Sequence, residues 1–362
     1  MQPTYRIASI PGDGIGVDVT AAARVVLDRA AEQHHFGLVW TEYDWSCQRY
    51  VAVGRMMPED GIEQLSRHDA VFLGAVGFPG VPDHVSLWGL LIPIRRSFDQ
   101  YVNLRPVRLL PGVPSPLAGR GPGDIDMVVV RENSEGEYSL IGGRHGQGPE
   151  EFAVQQSVFT RRGVERIARY AFELAERRRG SVCSATKSNG IVHTMPFWDE
   201  VVAAVAGEYP DVDYEQVHVD ALAARFVLAP QTLDVVVGSN LFGDILSDLA
   251  AAVAGSLGVA PSGNINPSGE HPSMFESVHG SAPDIAGRGI ANPVAQILAG
   301  AMMLEHLGEQ PAADAVRTAV ANIVRRANVV TPDLGGTATT DQCATAIADA
   351  IVGNRAAPAG SR

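Results

Sequence analysis

The sequence predicts an α/β fold, because short apolar strand patterns alternate along the chain with helical patterns. The strand patterns lie at residues 5–10, 69–74, 125–131 and 233–238, and the last of them is an apolar run rich in β-branched residues. Patterns rich in alanine, or apolar on one face, predict helices at about 17–33, 161–178, 195–207 and 243–255. Hydrophobic residues make up 46% and charged residues 19% of the chain, an ordinary globular composition with enough apolar residues for sizeable cores.

The first strand is followed by Gly12-Asp13-Gly14-Ile15-Gly16, directly before the first predicted helix. Glycines at this point invite comparison with the phosphate-binding turn of dinucleotide-binding domains. Their spacing is not G-x-G-x-x-G, and no clear acidic residue follows a second strand at the expected distance. We therefore favour a tight strand-to-helix turn that requires glycine over a Rossmann cofactor site.

The length of 362 residues favours two domains. Two segments rich in proline and glycine, Pro106–Gly123 and residues 260–273, are typical of crossings between domains. Two crossings imply that the ends of the chain share one domain around an inserted one. The predicted boundaries are 1–105 with 262–362 for the first domain and 106–261 for the second.

Charge and composition exclude several partners. The net charge of −13 argues against a nucleic-acid partner, and no apolar run reaches the roughly 18 residues that a membrane span needs. No signal-peptide pattern precedes the first strand, and three widely separated cysteines predict free thiols and a cytoplasmic protein. The tail Gly353–Arg362 has the composition of a disordered end.

Asp244 and Asp248 stand four residues apart on the helix predicted after the last strand, so their carboxylates share one helical face. Two like charges at this distance repel each other, and a hard divalent cation such as Mg²⁺ or Mn²⁺ would relieve the repulsion. A solvated acidic face is the alternative for any such pair. Here the apolar neighbours make the helix mostly buried, which favours a metal site; they are Leu241, Phe242, Ile245, Leu246 and Leu249.

Five further residues are candidates for binding and catalysis. Arg95, Arg105 and Arg131 each stand where we expect a strand or loop end to meet a cleft, and three guanidinium groups would suit a di- or tricarboxylate. Tyr138 follows a glycine turn, where its phenol could act as an acid, and Lys187 follows a short strand, where it could act as a base near a metal. Taken alone, each of these residues is more often structural or a surface ion-pair partner.

Six motifs resemble signatures of the β-decarboxylating 2-hydroxyacid dehydrogenases, which include isopropylmalate, isocitrate, D-malate and tartrate dehydrogenases. They occur in the order of that family and extend to about residue 350; they are Ile10–Gly16, Tyr101–Pro106, Val130–Tyr138, Thr186–Asn189, Asn240–Asp248 and His279–Ile285. The resemblance implies a two-domain isopropylmalate/isocitrate dehydrogenase-like fold with a mixed parallel and antiparallel sheet, which is not a Rossmann fold.

The resemblance also implies a homodimer whose subunits share active sites. Asp244 and Asp248 would hold Mg²⁺ or Mn²⁺ together with the partner subunit's Asp220, and a monovalent cation is a further candidate ligand. Arg95, Arg105 and Arg131 would bind the carboxylates of the substrate. The partner subunit's Lys187 would take the hydroxyl proton, and Tyr138 would protonate the enol carbon.

By the same resemblance, NAD would lie along the segment from His279 to Asn292, with its nicotinamide near the segment that starts at Gly74. The expected cofactor-binding residues are Gly74, Ala75, Val76, Asn189, His279, Gly280, Ser281, Ala282, Asp284, Ile285 and Asn292. Asp284 and Ile285 stand where NADP-using isocitrate enzymes carry a basic residue and a tyrosine. A carboxylate there would repel a 2′-phosphate, so NAD is favoured.

The segment before Arg95 indicates the substrate. Leu91 stands where isocitrate enzymes bind an extra carboxylate, and Trp88 stands where isopropylmalate enzymes carry an acidic residue, although both could be core residues. The sequence of this segment most resembles that of tartrate and D-malate dehydrogenases. These enzymes oxidise a dicarboxylate 2-hydroxy acid with NAD and decarboxylate the product. Two alternatives are a 3-isopropylmalate dehydrogenase and, from another class, a metal-dependent aldolase or hydrolase that uses no NAD.

Overall fold

The computed structural model describes residues 2–353 and contains a ten-stranded mixed sheet packed against helices, so the predicted fold class is confirmed. Apart from Gly353, the tail predicted to be disordered lies outside the described residues. The strands are β1 (Thr4–Gly12), β2 (Gly37–Glu42), β3 (Ala70–Ala75), β4 (Val102–Arg108), β5 (Asp126–Glu132), β6 (Gly142–His145), β7 (Phe152–Gln155), β8 (Ser181–Thr186), β9 (Asp213–His218), β10 (Val235–Gly238), β11 (Pro261–Ile265) and β12 (Ser273–Ser277).

The strand order of the sheet is β2-β1-β3-β12-β11-β4-β5-β10-β8-β9, and β6 and β7 form a separate antiparallel pair. Neighbours pair in parallel except in the middle, where β12, β11, β4 and β5 are successively antiparallel. Strands from both ends of the chain therefore build one half of the sheet, and residues 126–238 build the other. The division into two domains stays a prediction. The two segments taken for crossings are partly strand, because β4 continues to Arg108 and β11 begins at Pro261.

The helices are α1 (Ile15–His34), α2 (Cys47–Val53), α3 (Gly61–Leu65), α4 (Asp83–Ser86), α5 (Ile92–Ser97), α6 (Arg161–Glu176), α7 (Thr194–Ala206), α8 (Val219–Leu228), α9 (Asn240–Val253), α10 (Val294–His306), α11 (Gln310–Arg326) and α12 (Thr340–Gly353). A π-helical turn, Leu87–Leu91, joins α4 to α5. The four predicted helices are confirmed as α1, α6, α7 and α9. Helix α9 starts earlier than predicted because the Ser239 hydroxyl accepts the Phe242 N–H and caps the helix.

The core lies between the central strands and the helices that cover them. All residues of β3 and β10 are buried, as are six of the seven in β5, which is why these strands read as continuous apolar runs. Helix α6 shows how a helix covers this sheet: Thr160 caps its N-terminus, and Val164, Ile167 and Phe172 belong to its buried face. Within residues 2–353, no helix has both the length and the apolar character that a membrane crossing would require.

Candidate active site

Hydrogen bonds join the N-terminus of helix α9 to the segment after β5, at the ends of the strands β5 and β10. The Glu137 carboxylate accepts hydrogen bonds from the Ser239 hydroxyl at 2.7 Å and from the Leu241 N–H at 3.1 Å, at the N-terminus of α9. The Asn240 side-chain oxygen accepts two hydrogen bonds from Arg131, at 2.7 Å from Nη2 and 3.1 Å from Nε. These contacts fix the guanidinium of Arg131 relative to the acidic face of the helix.

Asp244 lies at the centre of the polar cluster that results. Arg131 Nη1 donates to the Asp244 carboxylate, and Arg105 Nη2 lies 3.2 Å from the same oxygen. The Tyr138 hydroxyl donates to the other oxygen at 2.9 Å. Asp248, one turn along α9, accepts from Arg105 Nη1 at 3.2 Å. The structure thus brings together four residues singled out from the sequence and places Asp248 next to them.

The charges of this cluster shift its pKa values in different directions. Burial raises the pKa of Asp244, but Arg131 and Arg105 outweigh it, so that the pKa of this carboxyl is lowered overall. Burial, and then the Asp244 charge, raise the pKa of Asp248 against the opposing effect of Arg105. Burial and Asp244 also raise the pKa of the Tyr138 phenol. Tyr138 therefore keeps its proton beside an ionised carboxylate.

A chain of buried hydrogen bonds holds two of the arginines. Arg95 Nη2 lies 3.0 Å from Glu276 Oε1, which also accepts from the Asn264 side chain at 2.7 Å. The Asn264 oxygen accepts from the Asn103 amide at 3.0 Å, and the Asn103 oxygen accepts from Arg105 Nε at 2.7 Å. All five side chains are buried, and buried charges require such partners. The sequence analysis missed Asn103, Asn264 and Glu276 as members of the site.

The three arginines do not all stand at strand ends. Arg131 is the penultimate residue of β5, in agreement with the expectation, and Arg95 lies on α5. For Arg105 the expectation is wrong, because this residue is in the middle of β4. Strand β4 contains polar residues and a proline, so its sequence lacks the apolar pattern that indicates a strand. Its polar side chains bind partners on neighbouring strands instead of packing in an apolar core.

These residues line a cleft of about 260 Å³. Its lining residues are Leu73, Gly74, Ala75, Val76, Leu87, Leu91, Arg95, Arg105, Arg131, Tyr138, Asp244, Ser262, Glu276, Ser277, Val278, His279 and Gly280. Gly74, Ala75, Val76, His279 and Gly280 are residues expected to bind the cofactor, and Leu91 is one expected to contact the substrate. Trp88 is outside this lining, and its ring lies 5.2 Å from the guanidinium of Arg96.

Lys187 and Asp220 lie outside the cleft lining of their own chain. Lys187 Nζ donates to Asp220 Oδ1 at 2.8 Å, and the Asp220 side chain is 68% exposed. This hydrogen bond lowers the pKa of the Asp220 carboxyl. Among residues 2–353, no three histidine, cysteine or acidic side chains are grouped so that they could hold a metal ion. Asp244 and Asp248 of α9 are oxygen donors of the kind that Mg²⁺ and Mn²⁺ prefer.

Of the six remaining residues expected to bind the cofactor, all but Asn189 lie in the segment that follows the lining residue Gly280. Ser281 is buried, Ala282 and Ile285 pack against α1, and Asp284 is exposed. Asn292 is buried and donates to Asp333 at 2.9 Å. Asn189 is exposed and outside the cleft lining.

Two polar atoms at this end of the cleft have no partner within the described residues. They are the Ser277 hydroxyl and Nε2 of His279, both of which are buried. Both residues line the cleft. Such atoms are costly to leave without a hydrogen bond, so this end of the cleft is suited to a polar ligand.

Comparison with known proteins identifies the family. A family model described as isocitrate/isopropylmalate dehydrogenase matches residues 6–351. The chain belongs to this family. The resemblance read from the six motifs is therefore confirmed, and so is the expectation of a dehydrogenase-type enzyme with this fold.

Individual relatives cover almost the whole chain. The D-malate dehydrogenase (decarboxylating) of Escherichia coli (strain K12) is 56% identical over 97% of this chain and 100% of its own length. The tartrate dehydrogenase/decarboxylase of Pseudomonas putida is 54% identical over 96% of this chain and 98% of its own. The crystal structure of isocitrate dehydrogenase from Methylococcus capsulatus has a TM-score of 0.87 and 36% identity, covering 96% of this chain and 99% of that one.

Proposed function

We propose that the protein oxidises a D-malate- or tartrate-type 2-hydroxy acid with NAD, in a reaction that depends on Mg²⁺ or Mn²⁺ and decarboxylates the β-keto acid. The observation that carries the proposal is the gathering of Arg95, Arg105 and Arg131 in one cleft with Tyr138 and Asp244. Three guanidinium groups around a small cleft favour a substrate with more than one carboxylate. Relatives named for D-malate and tartrate, more than half identical to this chain, support the same substrate class.

The two predicted domains both contribute to the cleft, which supports their assignment. The lining residues 73–76, Leu87, Leu91, Arg95 and 276–280 belong to the first predicted domain, whereas Arg131, Tyr138 and Asp244 belong to the second. Clefts between domains are common positions for small-molecule sites. The proposed site would then lie where the two predicted domains meet.

The ion pairs within this cluster could be replaced by ion pairs with the ligands. Arg105 and Arg131 now neutralise Asp244, and Arg105 also contacts Asp248. A substrate carboxylate would take over the guanidinium groups, and the carboxylates released would become ligands of the divalent cation. Neither binding event then leaves a buried charge without a partner.

The protein side chains supply binding and proton transfer. When bound, the metal polarises the substrate as a Lewis acid and NAD accepts the hydride. The arginines bind and orient the substrate carboxylates. The Tyr138 hydroxyl keeps a proton because its pKa is raised by burial and by Asp244. Tyr138 would deliver that proton to the enol carbon, and Lys187 would accept the hydroxyl proton of the substrate.

The position of Lys187 and Asp220 supports a homodimer with shared sites. In one chain they pair with each other and stay outside the cleft lining, so they would complete the cleft of a partner subunit. Large apolar side chains are exposed on the β6–β7 hairpin and on α8, including Phe152 at 58% and Leu228 at 75%. Exposed apolar surface of this kind is typical of subunit interfaces.

A substrate panel tests the proposed reaction. The panel contains D-malate, L-tartrate, meso-tartrate, isopropylmalate and isocitrate, each with NAD and Mn²⁺, and the readouts are NADH formation and CO₂ release. We expect D-malate or a tartrate to give the highest kcat/KM. A preference for isopropylmalate or isocitrate would refute the substrate assignment, and no NADH with any acid would refute the dehydrogenase assignment.

Mixing two inactive variants tests the shared site. Lys187→Ala and Tyr138→Phe enzymes, each nearly inactive alone, are mixed under conditions of demonstrated subunit exchange. A mixed dimer would carry both lesions in one site and neither in the other. With random assortment about half of the dimers are mixed, so about a quarter of wild-type activity should return if sites act independently. No recovery would mean that each subunit builds its own site.

A further inference from the structure

A buried carboxylate lies behind the cleft and has no role in the chemistry described above. Asp13, in the loop between β1 and α1, is 0% exposed. Its Oδ2 accepts hydrogen bonds from the backbone N–H groups of Cys47 at 2.9 Å and Gly77 at 3.2 Å. Its Oδ1 accepts one from Gln48 at 3.2 Å. These backbone donors offset the cost of burying the carboxylate and tie three separate parts of the chain together.

The loop that contains Asp13 packs closely against the backbone of two other segments, one at Ala75 and one at Ser281. A Cβ on Gly12, whose φ is +76°, would lie 2.1 Å from the carbonyl oxygen of Ala75. A Cβ on Gly14, whose φ is +57°, would lie 2.0 Å from the carbonyl oxygen of Ser281. That oxygen accepts the Ile15 N–H at 2.8 Å. The glycines therefore permit close contact with protein backbone on both sides, which accounts for a glycine pattern that does not fit a phosphate-binding turn.

The two segments in contact with this loop supply two walls of the cleft: the first wall precedes Gly77, and the second precedes Ser281. Ala75 lines the cleft, and Ser281 directly follows the lining residues His279 and Gly280. Gly77, held by Asp13, faces the second wall, because a Cβ on it would lie 3.2 Å from Ser281 Oγ. The position of Gly77 therefore influences the space between the walls.

We propose that Asp13 is a positioning residue for the nicotinamide cofactor, which holds Gly77 and the wall before it at the spacing from Ser281 that the cofactor requires. The inference rests on the proposed function, since it takes NAD to be the ligand of these walls. Asparagine at position 13 has nearly the same shape but offers an NH₂ group in place of one carboxylate oxygen. In either orientation of the amide, that group faces at least one of the three backbone N–H groups, so an attractive contact becomes a repulsive one and the anchor that holds Gly77 is disturbed.

The test uses the full-length Asp13→Asn variant. NADH affinity is measured by fluorescence titration without substrate or metal, and the KM values for NAD and for the best acid of the panel are measured at steady state. We expect the Kd for NADH and the KM for NAD to rise about tenfold. The KM for the acid should change less than about twofold, because the arginine cluster is held by a separate network.

A matched control separates positioning from a general loss of stability. Asp234 is also a buried carboxylate, and it accepts the Arg179 N–H at 2.8 Å and Arg178 Nε at 2.8 Å, on the other half of the sheet. Asp234→Asn should lower the melting temperature and leave the KM for NAD unchanged. An equal rise in the KM for NAD in both variants would overturn the positioning role.

Wild-type NADH affinity in a folded Asp13→Asn variant would also overturn the inference. If that variant does not fold, Gly77→Ala provides the test, because its methyl group would lie 3.2 Å from Ser281 Oγ and so alter the same spacing. Gly77→Ala should likewise weaken NADH binding, and unchanged affinity would refute the role of the spacing. Wild-type protein that binds no NADH would refute the proposed function, and the inference with it, before any variant is compared.

Discussion

Replacing Glu132 by glutamine should remove a pH-dependent loss of stability from the fold. Glu132 ends β5 and is 0% exposed. It accepts hydrogen bonds from the N–H groups of Ser134 at 3.0 Å and Glu135 at 2.8 Å, and from the Ser134 hydroxyl at 2.6 Å. Burial raises the pKa of Glu132 from its ordinary value of 4.5 to about 7, although these hydrogen bonds act in the opposite direction.

The sign of the effect follows from the pH at which Glu132 releases its proton in the folded and in the unfolded protein. Between pH 4.5 and about 7, unfolded chains have lost the proton of Glu132 while the folded protein keeps it. The stabilisation from this group is therefore fully present below 4.5 and is lost as the pH rises through about 7. Integration from about pH 5 to about pH 8 gives a loss of roughly 2.5 kcal/mol in the free energy of unfolding.

Glutamine has no proton to lose over this range. Its oxygen can accept a backbone N–H, and its NH₂ group can donate to the Ser134 hydroxyl, so the local structure should persist. Urea unfolding of both proteins at the two pH values measures the effect, and the free-energy difference should shift by that amount in favour of Glu132→Gln. The control is Glu173→Gln, an exposed glutamate on α6. A difference between wild type and Glu132→Gln that is the same at both pH values would refute the argument from burial.

Three further predictions concern the metal, the cofactor and helix packing. Asp244→Ala should abolish oxidation while the fold persists, and near-normal activity after chelation and Mn²⁺ resupply would contradict the metal assignment. Asp284→Lys combined with Ile285→Tyr should raise the ratio of kcat/KM for NADP to that for NAD, and a wild-type enzyme that uses both equally would contradict NAD selection. Gly243→Ala should cost about 1–3 kcal/mol in unfolding free energy. Its Cβ would lie 2.5 Å from Arg131 Cβ, so the KM for the acid should rise, and an unchanged KM would mean that Arg131 is not displaced.

The parts of the fold that were predictable are those with a regular apolar pattern. Strands β3 and β10 are buried along their whole length, β1 and β5 contain buried apolar stretches, and helices such as α6 have one apolar face. Strands β4 and β11 were hidden, because Asn103 and Asn264 occupy buried positions at which an apolar residue is the usual signal. Helix α10 was hidden for the opposite reason: it is buried along nearly its whole length and has little contrast between its faces.

The site was predictable wherever chemistry and local spacing coincide. Asp244 and Asp248 are one helical turn apart, so their shared face could be read directly from the sequence. The bond between Asn103 and Asn264 joins residues 161 positions apart, and that between Arg95 and Glu276 joins residues 181 positions apart. No local pattern records such partners, because the pairing of β4 with β11 brings the first two together and the position of α5 relative to β12 brings the other two together. The pairing of Lys187 with Asp220 was equally hidden, since each was interpreted through a partner subunit.

The buried hydrogen-bond chain from Arg95 to Arg105 has a consequence for how this cleft can change. Glu276, Asn264 and Asn103 link Arg95 to Arg105 through hydrogen bonds, so a substitution at any one of them should disturb the others. Leu87 and Leu91 also line the cleft, but they lie on the π-helical turn and contribute only apolar side chains. If the arginines bind the acid as proposed, substitution on that turn would reshape the space beside them while their hydrogen-bond chain stays intact. Changes within a single turn of helix would then suffice to alter which acid fits the cleft, without changes in the hydrogen-bond chain that holds the arginines.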